Sequence, residues 1–366
     1  MNSGKQINVT KTYLPPLDDY IKYLKKIWMN GWITNHGPLV NSLENKLKKY
    51  LGVRHLFFVA NGTVALEISM KALNLTKEII TTPFSYVATT SSIVWVNCIP
   101  VFVDIEPESL CINPMLIQNA ITDKTQAILA THVYGNPCDV EALDKIAKKN
   151  KLKIIYDASH CFEVKYKGTS ILNYGDISTL SFHATKLFHT AEGGAVITNN
   201  DKLAHRISYL RNFGHHGQEA FWGLGINGKN SELHAAMGLC ILPKVKSFIK
   251  QRKEIYKTYS EQLKDSGLKF IKIREGTDYN YSYFPILFKN QGELLKVRKV
   301  LNKNNIFPRR YFYPSLLELD YVKKFNSSVS SNISKRILCL PLYYGLNIEN
   351  VKKISEIIKE AIKCPA

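Results

Sequence analysis

SFHATKLFHTAEGGAVIT, residues 181–198, places one lysine between two short apolar runs. Residues 179–182 and 194–198 read as strands, and residues 183–193 between them as a loop ending in Glu192-Gly193-Gly194. Upstream, residues 153–155 form a buried strand that delivers Asp157. Residues 127–132 form another, followed by a turn at Gly135-Asn136-Pro137 and a Lys-rich helix over 140–150. Further strands fall at 100–103, 78–82 and 55–59, separated by helices at about 86–97 and 64–73. Before them, residues 17–30 and 39–51 read as helices, the second from Leu39, Leu43, Leu47 and Leu51 at helical spacing. Short apolar strands alternating with helices predict an α/β domain with a mainly parallel sheet. Ligands of such sheets bind beyond the carboxyl ends of the strands, where Asn61, Asp157 and the 183–193 loop fall.

Past a helix at 233–242 the pattern changes to α+β: a helix over 244–265, strands near 268–273 and 282–288, and helices over 291–304 and 348–363. The charge changes there too. Residues 1–240 hold 24 basic and 19 acidic side chains, net +5, whereas residues 241–366 hold 25 and 11, net +14. The shift at PKVKSFIK (243–250) suggests a large α/β domain over 1–243 and a smaller α+β domain over 244–366. No Pro/Gly/Ser linker separates them, so the two are expected to pack together.

Four segments carry chemistry. Asn61-Gly62-Thr63 at a strand-to-helix turn combines close backbone approach, a hydroxyl and free N–H groups that favour an anion such as phosphate. Asp157, in YDASH (156–160), follows a buried strand and needs a cationic partner or good hydrogen bonds, and a protonated heteroaromatic nitrogen would suit it. Lys186, five residues after Ser181, can act as a nucleophile toward a carbonyl if its pKa falls from about 10.4. Gly225-Ile226-Asn227-Gly228-Lys229-Asn230-Ser231-Glu232 is a second polar loop opening an Ala/Gly-rich helix. Singly, these are helix caps and a solvated charge. Jointly, and in this order, they describe a site for pyridoxal phosphate.

The blocks WITNHGP (32–38), NGTVAL (61–66), TTPFSYVATTSS (81–92), PVFVDIEP (100–107), HVYGNP (132–137), YDASH, SFHATK (181–186), EGGAVIT (192–198) and GINGKNSELHAAMGL (225–239) make the chain resemble, from about residue 8 to 362, the DegT/StrS family of nucleotide-sugar aminotransferases. The resemblance implies fold-type I architecture like that of aspartate aminotransferase, with a seven-stranded sheet. It implies that Lys186 bonds to pyridoxal 5'-phosphate and relays the substrate proton, and that Asp157 pairs with the ring nitrogen. Such a charge-assisted hydrogen bond is worth roughly 1.5–3 kcal/mol. By the same resemblance Gly62, Thr63 and Ser181 hold the cofactor phosphate, Tyr86 stacks on the ring, His160 lies near the ring hydroxyl, and Asn227 reaches the phosphate from a neighbouring subunit. It further implies a homodimer with shared sites and L-glutamate as amino donor. In the related enzymes that dehydrate sugars His replaces this lysine, so Lys186 argues against dehydration.

The segments GPLVNSLE, SILNYGDIS and RRYFYPSL (309–316) add a likeness to the subgroup forming dTDP-4-amino-4,6-dideoxyglucose. The implied acceptor is the nucleotide-linked keto-sugar dTDP-4-keto-6-deoxy-D-glucose, the product feeding O-antigen or another surface glycan; 3-amino products and GDP- or UDP-sugars are the alternatives. Thr34, Asn35, Lys229, Arg309, Arg310, Tyr311 and Tyr313 are candidates for the substrate pocket. Lys229 stands where many family members carry Arg, and Lys cannot reproduce the bidentate contacts of Arg.

Composition bounds the alternatives. With 366 residues, 45% hydrophobic and 11% aromatic, the chain can bury a large core. No stretch reaches the ~20 apolar residues of a membrane span, and the N-terminus lacks an apolar signal core. Seven dispersed cysteines with no C-x-x-C pair read as free thiols in a reducing compartment, so the expected location is the cytoplasm. A net charge of +19 raises a non-catalytic nucleic-acid-binding protein as the remote alternative. No helix-turn-helix, zinc-knuckle or RNP-type motif supports it, and no nucleic-acid partner is expected.

Overall fold

Seven strands rich in Ile, Val, Leu and Ala build the central sheet: β1 (His55–Val59), β2 (Glu78–Thr81), β3 (Ile99–Phe102), β4 (Thr125–Thr131), β5 (Lys153–Asp157), β6 (Ile177–Ser181) and β7 (Gly194–Thr198). The computed structural model describes residues 6–323 and 325–363. Across the sheet the order is β1-β7-β6-β5-β4-β2-β3. The neighbours from β6 to β3 run parallel, and β7 is antiparallel to both β1 and β6. Runs such as Ala127–Ala130 are fully buried, as helices on both faces of a parallel sheet require. Pro100 is tolerated because β3 lies on the sheet edge.

The reversed direction of β7 has a structural consequence for the site. It sets Gly194 opposite both Ser181, the last residue of β6, and Val59, the last of β1. Three segments distant in sequence therefore end at one point. At Gly194 a Cβ would lie 2.5 Å from the carbonyl carbon of Asn61, so the close approach requires glycine.

One helix is fixed by two remote contacts. The helix Pro38–Leu51 has no cap of its own; buried Glu232 accepts from its Leu39 and Val40 N–H groups at 2.7 and 2.8 Å. Glu44 of the same helix accepts from the Phe58 N–H and pairs with buried Arg211, tying the helix to β1.

The C-terminal part centres on an antiparallel sheet of Lys269–Phe270, Phe284–Leu287 and Ile337–Leu340. Helices Val245–Leu263, Gln291–Lys303 and Ile348–Lys363 cover it around a separate apolar cluster. The helix Val245–Leu263 joins both cores: Val245 and Phe248 enter the large one, and Ile255, Tyr259 and Leu263 the small one. The strand Ile7–Asn8, from the start of the chain, pairs in parallel with Ile306–Phe307 of the C-terminal part.

The helix expected at 64–73 begins two residues earlier, at Gly62, because Asn61 caps it. A helix at Asp201–Leu210 was not anticipated; Asn200 caps it by accepting from Lys202 and Leu203. Six cysteines are free thiols, five of them buried, and Cys364 lies outside the described residues. Among the described residues no helix is long and apolar enough to cross a membrane.

Candidate active site

At the carboxyl ends of β4, β5 and β6 a cavity of about 410 Å³ opens, within the size range of small-molecule sites. Its floor is the start of the helix Gly62–Ala72. Asn61 is extended and satisfies two of the first N–H groups: its side chain accepts from Val64 at 2.9 Å and its carbonyl from Ala65 at 3.1 Å. The N–H groups of Gly62 and Thr63 are bonded to no other described residue and stand at the cavity floor, where the helix dipole favours an anion. Ser181 closes this corner so tightly that a Cβ at Gly62 would lie 2.9 Å from its Cβ.

Asp157, at the end of β5, is buried. Its Oδ1 accepts from the Ser159 hydroxyl at 2.6 Å and the Ser159 N–H at 3.1 Å, and its Oδ2 accepts from the Thr89 hydroxyl at 2.8 Å. Lys186, half-buried, lines the same cavity. Burial lowers its pKa to about 8, against the opposing pull of the Asp157 charge and of Tyr86. Its amine is thus partly neutral near pH 8 while still paired electrostatically with a carboxylate. His160 is held well below its ordinary pKa by burial first and by Lys186 second. Its Nδ1 accepts from the Tyr134 N–H at 3.1 Å, which fixes the neutral tautomer with the proton on Nε2. Tyr86, half-exposed, contributes to the rim.

Of the residues singled out in the sequence, Gly62, Thr63, Tyr86, Asp157, His160, Ser181, Lys186, Arg309 and Tyr311 line this one cavity. The Arg309 guanidinium lies 4.7 Å from the Tyr311 ring centre. Thr34, Asn35, Asn227, Lys229, Arg310 and Tyr313 are not among its walls. Lys229 donates to Asn227 Oδ1 at 2.6 Å and rests over the Phe213 ring at 4.5 Å. Arg310 covers the Tyr313 ring at 3.3 Å and donates to the Lys335 carbonyl.

Sequence reasoning missed Ser85, Thr89, Thr131, Ser159, His183, Glu192, Tyr283 and Phe312, of which Thr89 contacts Asp157 and the others line the cavity. The hydroxyls of Ser85 and Thr89 flank Tyr86 within TTPFSYVATTSS, a signal that was present in the sequence. Tyr283 comes from the C-terminal part and carries no local signal, whereas Phe312 lies within RRYFYPSL (309–316), between the candidates Tyr311 and Tyr313.

The donor set suits pyridoxal phosphate: two free N–H groups and two hydroxyls for a phosphate, an amine for its carbonyl, and a buried carboxylate for a protonated ring nitrogen. The glycine at 62 leaves the phosphate corner open where any side chain would fill it.

Comparison with known proteins gives the same answer. The model of the DegT/DnrJ/EryC1/StrS aminotransferase family matches residues 17–359. A dTDP-4-amino-4,6-dideoxy-D-glucose transaminase from Shigella dysenteriae is 42% identical over 363 residues, covering 97% of this chain and 99% of that protein. The protein of the same name from Escherichia coli is 40% identical with equal coverage. The crystal structure of DesI with its TDP-sugar product superposes with a TM-score of 0.93 at 28% identity, covering 98% of this chain and 94% of that one. A lysine facing a buried aspartate above an anion-binding helix start is what transamination on this cofactor needs, and the chain belongs to the DegT/DnrJ/EryC1/StrS family as a pyridoxal-phosphate-dependent aminotransferase.

Proposed function

We propose that this enzyme moves an amino group from L-glutamate to dTDP-4-keto-6-deoxy-D-glucose, forming dTDP-4-amino-4,6-dideoxy-D-glucose for an O-antigen or other surface glycan. The two relatives at 42% and 40% identity over nearly the whole chain support this acceptor. The observation that carries the chemistry is the convergence of Lys186, Asp157 and the Gly62-Thr63 turn on one cavity. Bound there, pyridoxal phosphate supplies an electron-accepting ring and a carbonyl that takes up and releases nitrogen. In this reading the N–H groups of Gly62 and Thr63, with the Thr63 and Ser181 hydroxyls, bind its phosphate. Asp157 keeps the ring nitrogen protonated, Tyr86 stacks on the ring and His160 stands by the ring hydroxyl. Lys186 Nζ, with its pKa near 8, would take the α-proton of the amino acid and deliver it to the carbon of the cofactor's carbonyl within the same half-reaction, acting as base and then as acid, and would run the same relay in reverse with the keto-sugar. Arg309 supplies positive charge for the diphosphate of the sugar nucleotide.

In the same reading the enzyme is a cytoplasmic homodimer. Asn227 and Lys229 stand outside their own chain's cavity and serve the neighbouring one. Two exposed apolar groups, Trp28, Met29, Trp32 and Ile33, and Phe221, Trp222 and Leu224, suit burial against a second copy. The test is to incubate the purified enzyme with glutamate and dTDP-, UDP- and GDP-4-keto-6-deoxy sugars and identify the products by NMR. Preferred turnover of a GDP- or UDP-sugar, or amination at C3, would replace the proposed acceptor.

A further inference from the structure

Asp157 is the end of a chain of buried hydroxyls. Thr89 Oγ1 lies 2.8 Å from Asp157 Oδ2, Ser85 Oγ 2.7 Å from Thr89 Oγ1, and Thr131 Oγ1 3.0 Å from Ser85 Oγ. All three hydroxyl residues are at most 3% exposed. An ionised carboxylate only accepts, so the Thr89 proton points to Asp157. Thr89 must then accept from Ser85, and Ser85 from Thr131. The direction of every proton in the chain follows from the charge at its end.

We infer that Thr131, Ser85 and Thr89 act as positioning residues: their one-way hydrogen bonds hold Asp157 as an acceptor, so that the proton it shares with the cofactor ring stays on the ring nitrogen. The inference rests on the reading of Asp157 as the partner of that nitrogen. The physical reasons are two. Hydrogen bonds donated to a carboxylate favour its charged form, and a chain of hydroxyls pointing one way polarises each member in turn. Thr89 also occupies one lone pair of Oδ2 while Ser159 takes two bonds at Oδ1. That leaves Oδ2 the less saturated oxygen and the one free to meet the ring. The proton must stay on the ring for the ring to accept electrons; moved to Asp157, it leaves a neutral ring and a neutral acid.

The test uses holoenzyme carrying cofactor isotopically labelled at the ring nitrogen, read by nitrogen NMR. Thr89→Val keeps the shape and removes the hydroxyl; Ser85→Ala and Thr131→Val act from two and three bonds away. The ring-nitrogen resonance should move toward the unprotonated position in the order Thr89→Val, Ser85→Ala, Thr131→Val, with kcat falling in the same order and KM for glutamate changing less. Thr89→Ser, which restores the donor, should return the resonance. Ser85→Ala removes a single oxygen, so it reads the effect if Thr89→Val does not fold. Lowered melting temperatures with an unmoved resonance in the folded variants would overturn the inference and reduce the chain to packing. Asp157→Asn is the control: if it too leaves the resonance unmoved, the reading of Asp157 itself fails.

Discussion

Lys186 has conflicting electrostatic neighbours, and the balance sets a pH dependence. Burial disfavours its ammonium, the Asp157 charge favours it, and the outcome is a pKa near 8 instead of 10.5. Below that value the amine is mostly protonated and unable to bond to a carbonyl; above it the neutral nucleophile dominates. Cofactor uptake by the cofactor-free protein should therefore accelerate as pH rises through about 8 and level off roughly a pH unit higher. Stopped-flow absorbance of the reconstitution would show it, and a rate still climbing steeply toward pH 10.5 would mean that the lysine is unperturbed. Lys186→Ala should abolish turnover while the protein remains folded, seen as lost product with an unchanged circular dichroism melt. Asp157→Asn removes an interaction worth roughly 1.5–3 kcal/mol, so kcat should fall at least about tenfold.

The strand-to-helix turn at Asn61 is a joint between elements, and its glycine can be tested without touching a reacting group. Gly62→Ala puts a methyl 2.9 Å from the Ser181 Cβ, in the corner assigned to phosphate. Cofactor affinity should drop by about tenfold or more, measured by equilibrium dialysis, with helix propensity offsetting part of the strain on stability. Glu232 poses the opposite case, a long-range cap. Glu232→Ala leaves the Leu39 and Val40 N–H groups without acceptors and should cost about 3 kcal/mol or more, read by denaturant unfolding. Retained stability would mean that water replaces the carboxylate. These two glycine and glutamate positions also mark what was legible in the sequence. The strands from β1 to β7 could be read because runs such as Ile79-Ile80 and Ile154-Ile155 are buried on both sheet faces. The cofactor corner could be read because its residues sit at strand ends. Glu232 could not, since its partners lie 192 and 193 residues away and nothing local distinguishes a remote cap from a capping-box glutamate. The hydroxyl chain was hidden for the same reason, with Thr131 on a different strand end from Ser85 and Thr89. Tyr283 and Phe312 reach the cavity only because the C-terminal part folds back over it.

Charge and association belong to the whole molecule. The excess of +14 after residue 240 lies away from the main catalytic motifs, and the cavity wall itself mixes Lys186 and Arg309 with Asp157 and Glu192. A field of that kind steers a small diphosphate and gives no continuous track for a polyanion. The proposed dimer has a sharper consequence, because Asn227 and Lys186 would then complete each site from different chains. Take Lys186→Ala in one preparation and Asn227→Asp in another, each nearly inactive alone. In a mixed dimer one site collects both defects. The other collects neither, since its lysine comes from the Asn227→Asp chain and its asparagine from the Lys186→Ala chain. Equal mixing after reversible dissociation makes about half the dimers mixed, so activity should recover to about a quarter of the native value. If each chain instead supplied both residues to its own cavity, every site would carry one defect and mixing would restore nothing. The exposed Trp28 and Met29 allow the matching physical measurement: if they lie in the dimer contact, Met29→Glu should shift the sedimentation coefficient to that of a monomer and abolish the recovery together.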